Sequence, residues 1–533
     1  MELEQSFIAL IEQSIKTNWY LNALTDYKGI TLQYRDVARK IEKIHILLEN
    51  AGIEKGDKIA ICGRNSAHWT VTYLAVITYG AVVVPILHEF KADQVHNIVN
   101  HSEARLLFVG DQIWENLNEA AMPHLEGIIE LKDFGVPVSR SEKLAYARDH
   151  LNEIFGHKFP CRFRPDDISY EKEKSEDLAI INYTSGTTGY SKGVMLPYRS
   201  ILSNVLYCKE KIGLKAGDSV VSMLPLGHVF GMTFDFLYGF TAGAHLWFLT
   251  RMPSPKIIAE SFAEIRPRVI ACVPLIVEKI FKKNILPKVD NKLGKLLLHV
   301  PIISDKIKEL IKQKAMEVFG GNFIEIIIGG APFNAEVVSA FGGRFAEVIV
   351  GGAAFNQEVE KLLKSIDFPY TVGYGMTECG PIICHSHWTE LKLASCGKVA
   401  ARMEAKVLSP NPSAIAGELV CRGANLMLGY YKNEEATRQV IDTEGWLHTG
   451  DMATIDEDGN VFIKGRCKNL LLTSSGQNIY PEEIESKLNN MPYVSESLII
   501  LQQDKLVGLI YPDSDDAFAH GLSQSDLVRG MEE

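Results

Sequence analysis

The sequence predicts an α/β protein of more than one domain. Segments with helical hydrophobic spacing alternate with short apolar runs along the first 150 residues and beyond, the pattern of parallel sheets covered by helices. After about Val399 the spacing shortens and becomes β-like. At 533 residues, the chain is also several times longer than a common single domain.

Taken in order, Tyr34 to Ala51 has the spacing of an amphipathic helix, while Lys58-Ile-Ala-Ile-Cys62 and Ala104 to Val109 have that of buried strands. Trp69 to Leu87 carries no charge and no histidine and is long enough for a membrane span. It contains Thr70, Thr72, Thr78, Gly80 and Pro85, however, and changes character midway. It therefore reads as a buried helix, a break at Gly80 and a strand from Ala81 to Val84, not as a transmembrane segment. Leu178 to Ile181 and Val220 to Met223 continue the strand series. Residues 320–341 and 342–363 share the pattern Gly-Gly-x-Phe-x-Glu-x-Ile-x-Gly-Gly-Ala-x-Phe-Asn, a local duplication of a strand, turn and helix. Turn signals at Pro410-Asn411-Pro412 and Asp458-Gly459-Asn460 mark a β-rich subdomain over about 399–464.

Composition narrows the class. With 46% hydrophobic and 23% charged residues the chain is neither disordered nor fibrous, and its net charge of −11 opposes a broadly basic nucleic-acid surface. Nine cysteines without a C-x-x-C pair imply reduced thiols and a cytoplasmic location. The acidic start MELEQSFIALIEQSIK is expected to be no secretory signal. The lysine-rich stretch from Lys279 to Lys314 can rest weakly on anionic lipid, although one solvated helix face with Leu and Ile packed inward accounts for the same pattern. Cys379, Cys384, His385 and His387 lie close together, but their spacing fits no common zinc finger.

The residues that carry chemistry begin with Tyr183-Thr-Ser-Gly-Thr-Thr-Gly-Tyr-Ser-Lys-Gly193, placed after a strand and ahead of a helical pattern from Tyr198. Its glycines allow close backbone approach, its hydroxyls and amides donate to phosphate oxygens, and Lys192 adds positive charge, so it reads as a polyphosphate cradle. Ser191 stands where the common NTPase loop requires glycine before lysine, which separates the two motifs. Tyr374-Gly-Met-Thr-Glu378, Gly445-Trp-Leu-His-Thr-Gly-Asp451, Lys464-Gly-Arg-Cys-Lys468 and Ser474-Ser-Gly-Gln-Asn-Ile-Tyr-Pro-Glu-Glu-Ile-Glu485 follow.

In this order and spacing the motifs resemble the adenylate-forming, AMP-binding superfamily, most closely its long-chain fatty acyl-CoA synthetases. The resemblance runs from roughly residue 25 to the end. It implies a large amino-terminal domain, 1–464, of two helix-covered sheets plus a β-barrel-like subdomain. A small, mobile α+β domain, 465–533, would follow, with a hinge near 465–468. It also implies ATP-dependent activation of a carboxylic acid to acyl-AMP, then transfer to coenzyme A. A sister activity hands the acyl group to a carrier protein. A catalytically impaired nucleotide-binding module is a third reading.

By the resemblance, Thr184, Ser185, Gly186, Thr187, Thr188, Gly189 and Lys192 hold the phosphates, and Glu378 with Thr184 binds Mg²⁺. Tyr374, Gly375 and Met376 receive adenine, and Thr377 the α-phosphate. Asp451 accepts the ribose hydroxyls, and Arg466 reaches ribose and phosphates. Of the duplicated Gly-Gly-Ala turns only the second has the family's distance to Tyr374, which assigns Gly352 and Ala353 to the adenine pocket. His228, in Leu-Pro-Leu-Gly-His-Val-Phe-Gly231, matches the motif beside the acid, and Phe230, Phe234, Phe236, Leu237, Tyr238 and Phe240 line an acyl tunnel or form core. Cys467, Lys468 and Gly476 fall at the hinge and the coenzyme A face. The family's adenylation lysine has no counterpart here: Lys505, the lysine after Lys487, lies in a strand-like Gln-Asp-Lys-Leu-Val context. On that ground the chain is expected to be truncated, to bind ATP and to adenylate poorly.

Overall fold

Two large sheets meet along a shared hydrophobic core. The computed structural model describes residues 5–184, 192–250, 255–272, 309, 312, 313, 316, 317, 319–328, 357–472, 478–488, 491, 493–502, 505–512, 514–519, 521–523, 526 and 529. The eight-stranded sheet runs in the order Gly429–Tyr430, Lys192–Pro197, Leu178–Thr184, Val82–Ile86, Lys58–Cys62, Leu106–Val109, Gly127–Glu130, Val138–Ser139. Its strands from Leu178–Thr184 to Gly127–Glu130 are parallel, and the pairings outside them are antiparallel. The seven-stranded sheet runs Tyr370–Val372, Glu325–Ile328, Val269–Cys272, Ser219–Ser222, His245–Phe248, Asn22–Asp26, Thr31–Gln33, parallel until its last pair.

The strand period explains why both faces of the larger sheet are apolar. Ile59 and Ile61 point into the core shared with the other sheet, whereas Ala60 and Cys62 pack with Val95, Ile98 and Val99 of the helix Ala92–Ser102 on the opposite face. The uncharged Trp69–Leu87 stretch divides as its residues require. Ser66 caps the helix Ala67–Thr78 by accepting from the Trp69 amide at 3.1 Å, Gly80 turns at φ +84°, and the strand Val82–Ile86 follows. Every residue of that helix except His68 is buried. Among the described residues no helix is long and apolar enough to cross a membrane.

Two findings depart from the local pattern. The helix Tyr198–Lys211 does not follow the phosphate loop directly, because Lys192–Pro197 intervenes as a strand antiparallel to Leu178–Thr184. The loop therefore joins two strands of one hairpin. In the aromatic run, Met232–Leu237 forms a π-helical turn, a rare conformation often found at functional sites. Phe236 and Phe240 are core, meeting Trp69, Tyr73 and Tyr34 edge-on or tilted.

Beyond residue 373 the sheets are antiparallel. One contains Met403–Leu408, Gly417–Gly423, Leu447–Ile455 and Val461–Arg466; a smaller one contains Tyr374–Gly375, Ile382–His385 and Lys398–Val399. The strand Gly429–Tyr430 leaves this region to extend the eight-stranded sheet beside Lys192–Pro197. Further on, the helix Pro481–Leu488 packs on the hairpin of Val494–Gln502 and Lys505–Pro512. Of the duplicated unit, the first copy's strand Glu325–Ile328 and the second copy's helix Gln357–Ser365 are described. Residues 329–356, with Gly352 and Ala353, and most of the lysine-rich stretch lie outside the described residues.

Candidate active site

Motif residues lie at the carboxyl ends of parallel strands, where a ligand is expected in such sheets: Thr184 ends Leu178–Thr184, and Tyr374 follows Tyr370–Val372. Thr184 and Lys192 form the last register pair of their hairpin. The loop between them, including Ser185, Gly186, Thr187, Thr188 and Gly189, lies outside the described residues.

Glu378 sits on the short turn Thr377–Cys379. That turn is pinned by buried polar groups: Asn204 donates to the Cys379 carbonyl at 3.0 Å and accepts from the Ile382 amide at 2.9 Å, and the Thr233 hydroxyl donates to the Gly380 carbonyl at 3.2 Å. Thr377 is buried, and Met376 is fixed by its amide donating to the Pro381 carbonyl at 2.9 Å. Glycine is needed at 375, since a Cβ there would collide with that same carbonyl oxygen. Glu378 accepts a hydrogen bond of 2.7 Å from the Tyr430 phenol, and the Lys192 ammonium lies 4.9 Å from the centre of the Tyr430 ring.

A second constellation joins Tyr374, Asp451 and Arg466. Asp451 and Arg466 are direct partners across the antiparallel pair Leu447–Ile455 and Val461–Arg466, which places the guanidinium Nε 2.9 Å from Asp451 Oδ1. The Tyr374 hydroxyl donates to Oδ2. Burial first, then the Asp451 charge, holds the Tyr374 phenol well above its ordinary pKa, so it stays a donor. The Asp451 amide donates to the Thr449 hydroxyl at 3.1 Å, and that hydroxyl donates to the Leu419 carbonyl at 2.7 Å, which sets the carboxylate's direction. Cys467 follows half-buried, its thiol pushed up to about 11 mainly by burial, and Lys468 is exposed. Gly476 lies outside the described residues.

His228 begins the helical segment at Val229, accepting from the Phe230 amide through Nδ1 at 3.2 Å. Acceptance at Nδ1 assigns the ring proton to Nε2. Desolvation lowers its pKa to about 4, so the imidazole is a neutral donor near pH 7. Its loop is held from three sides by buried side chains that sequence reading did not single out. Asp235 accepts from the Met223 and Leu224 amides at 2.9 Å each. Asn65 donates to the Leu224 carbonyl at 2.7 Å and accepts from the Leu226 amide at 3.0 Å. Asn182, two residues before Thr184, donates to the Gly227 carbonyl at 2.8 Å. No local pattern marks these residues, because each acts on backbone distant in sequence; the polar Asn182 inside an apolar strand was the available signal.

The donor set around Glu378 is one of hard oxygens. The neighbouring sulfur of Cys379 is fully buried, 3.8 Å from Cys421 Sγ, and so faces the core. A carboxylate with a nearby hydroxyl suits Mg²⁺, which takes few protein oxygens and completes its shell with water and phosphate.

Comparison with known proteins agrees with this arrangement. The profile of the AMP-binding enzyme family matches residues 12–431. The long-chain-fatty-acid–CoA ligase ACSBG2 of Homo sapiens is 27% identical over 505 residues, covering 90% of this chain and 71% of that protein. The long-chain-fatty-acid–CoA ligase FadD15 of Mycobacterium bovis is 24% identical over 511 residues, covering 91% and 77%. Among solved structures, ATP-bound MatB from Rhodopseudomonas palustris superimposes with a TM-score of 0.74 at 20% identity, covering 99% of this chain and 92% of that one. The anthranilate CoA ligase AuaEII in complex with anthranoyl-AMP has the same score at 18% identity, covering 99% and 93%. With its fold, its converging motifs and a profile match across most of its length, this chain belongs to the AMP-binding enzyme family.

Proposed function

We propose that the protein is an AMP-forming acid:CoA ligase acting on a fatty acid. A carboxylate attacks the α-phosphate of ATP and pyrophosphate leaves; the thiol of coenzyme A, losing its proton, then attacks the acyl carbon of the adenylate, and AMP leaves as the thioester forms. The observation that supports this reading is the pairing of motif residues from distant parts of the chain, Tyr374 and Arg466 on the Asp451 carboxylate, and Lys192 and Glu378 on the Tyr430 side chain.

In this reading Asp451 accepts the ribose hydroxyls and Arg466, beside it, adds charge toward ribose and phosphates. Tyr374, Gly375 and Met376, with Gly352 and Ala353, receive adenine. Lys192 and the 184–189 loop hold the phosphates, and Thr377 contacts the α-phosphate. Charge grows on the phosphoryl oxygens as the acid attacks, so cations and donors fixed before the reaction lower the barrier. Mg²⁺ held by Glu378 and Thr184 would neutralise part of that charge. The neutral His228, with its proton on Nε2, donates toward the acid, and the apolar wall of Phe230 and Phe234 suits an acyl chain. In the same reading the segment 465–468 serves as the hinge between a domain of residues 1–464 and the part that follows, and Cys467, Lys468 and Gly476 are assigned to coenzyme A. Nine free cysteines, six of them buried, support a cytoplasmic location.

The test is pyrophosphate release over acids from short to long chain, with and without coenzyme A. Acid-dependent release and a CoA thioester are expected. Acyl-AMP without thioester would assign a carrier-protein acceptor, and ATP binding without release under any acid would overturn the ligase reading.

A further inference from the structure

Tyr430 belongs to no motif discussed above, yet it stands between the two charged groups on which phosphate binding depends. We propose that Tyr430 is a positioning residue for the nucleotide phosphates, its ring face seating the Lys192 ammonium and its hydroxyl orienting the Glu378 carboxylate. The inference rests on the ligase reading of Lys192 and Glu378.

The geometry is specific. The Lys192 Nζ lies 4.9 Å from the ring centre, within the range of a cation–π contact, and the hydroxyl of the same ring reaches Glu378 Oε1 at 2.7 Å. The backbone leaves the ring little freedom. Tyr430 pairs with Val194 in the strand that Lys192 begins, and the flanking Leu428 and Tyr431 amides donate to Met195 and Gly193 carbonyls at 2.8 and 2.7 Å. Its own amide donates to the Thr437 hydroxyl at 2.9 Å. Gly429 is drawn close to Thr437 at φ +138°, where a Cβ would fall 2.8 Å from the Thr437 methyl. Met427 ties the same segment to the Glu378 turn, its amide donating to the Glu378 carbonyl at 2.8 Å. One short strand thus fixes both the cation and the carboxylate to a single buried ring.

The two halves of the ring make separable predictions. Tyr430→Phe keeps the seat for Lys192 and removes the hold on Glu378. Tyr430→Leu removes both. Calorimetry of ATP binding without metal and across a Mg²⁺ titration reads them apart. Tyr430→Phe is expected to bind metal-free ATP like wild type and to need about tenfold more Mg²⁺ for its metal-dependent gain, the scale of one lost hydrogen bond to a charge. Tyr430→Leu is expected to weaken metal-free binding as well. Thermal melts of both variants accompany the titrations. Equal loss in both conditions for Tyr430→Phe would reduce Tyr430 to a structural role, and unchanged or tighter Mg²⁺ dependence would overturn the proposal. Wild type that binds no ATP in the same calorimeter would instead overturn the ligase reading itself.

Discussion

The phenol of Tyr374 donates to a carboxylate oxygen of Asp451, 77 residues further along the chain, and Arg466 takes the other oxygen at 2.9 Å. A small antiparallel sheet supplies the tyrosine and a larger one the ion pair, so this contact ties the two sheets together. Asp451→Ala is expected to weaken ATP binding about 100-fold, since it removes the carboxylate proposed to accept the ribose hydroxyls together with the partner that Arg466 and Tyr374 share. Tyr374→Phe, which keeps the ring, is expected to cost only about threefold to tenfold. Isothermal calorimetry with ATP and with its 2′,3′-dideoxy analogue checks the assignment. Wild type should discriminate between them, and Asp451→Ala should not.

How much of this was legible beforehand depended on the distance over which each residue acts. The continuous apolar run from Ile59 to Cys62 is local, and it foretold a sheet covered on both faces. The helix at Tyr34, the break at Gly80 and the turn at Gly459 were equally local. The strand Lys192–Pro197 was hidden because six residues ending in proline look like a helix approach, while pairing with Leu178–Thr184 decided otherwise. Motif residues such as Glu378 and Asp451 could be named from sequence. Tyr430, Asn65 and Asp235 could not, because their partners are distant backbone or side chains and no spacing rule reports such contacts.

Asp235 makes a prediction about pH. It is fully buried, and desolvation outweighs the two amides it accepts, raising its pKa to about 8. Below pH 3.8 folded and unfolded chains both hold the proton, and the group contributes in full. As pH rises through that value the unfolded chain ionises while the folded one does not, so stability is lost progressively up to about pH 8. Asp235→Asn keeps an oxygen for the Met223 and Leu224 amides and has no proton to lose. Its stability relative to wild type, read by denaturant unfolding, should therefore rise between pH 5 and pH 8, by about 4 kcal/mol at most. The histidines act with the opposite sign. His45, His228, His245 and His385 are all lowered to about 4, chiefly by burial, so their contribution is present above 6.5 and lost as pH falls toward 4. Wild type and Asp235→Asn should accordingly both lose this histidine contribution on acidification.

Two glycines of the motifs separate steric need from backbone need. At Gly375 the conformation is ordinary, but an added Cβ would meet the Pro381 carbonyl, which also accepts the Met376 amide. Gly375→Ala should displace the turn that carries Thr377 and Glu378, costing about 3 kcal/mol of stability and most ATP binding. At Gly450 nothing lies within 4 Å of an added Cβ, and φ is +73°. Gly450→Ala should cost only about 1 kcal/mol, the strain of a left-handed residue, with ATP affinity little changed. Urea denaturation and calorimetry on the two variants check the order. A larger loss at 450 than at 375 would contradict the geometry.

Thiol chemistry follows from where the nine cysteines sit. Cys161 is exposed, Cys396 and Cys467 are half-buried, and the other six are buried. The thiolate is the reactive form, and burial disfavours it: Cys62 and Cys396 are pushed up to about 12, and Cys379 and Cys384 well above the ordinary thiol range. Cys467 is raised to about 11 by burial, with Glu418 and Asp451 adding negative charge nearby. Iodoacetamide at pH 8 should therefore label the folded protein fast at Cys161 and slowly at Cys467. Peptide mass spectrometry should find Cys379 and Cys421 unmodified until denaturant is added, although their sulfurs are only 3.8 Å apart beside the Glu378 turn. Labelling of Cys379 in the native protein at a rate near that of Cys161 would mean that the turn opens to solvent. The pinning of that turn by Asn204 and Thr233 would then be too weak to hold Glu378 in place.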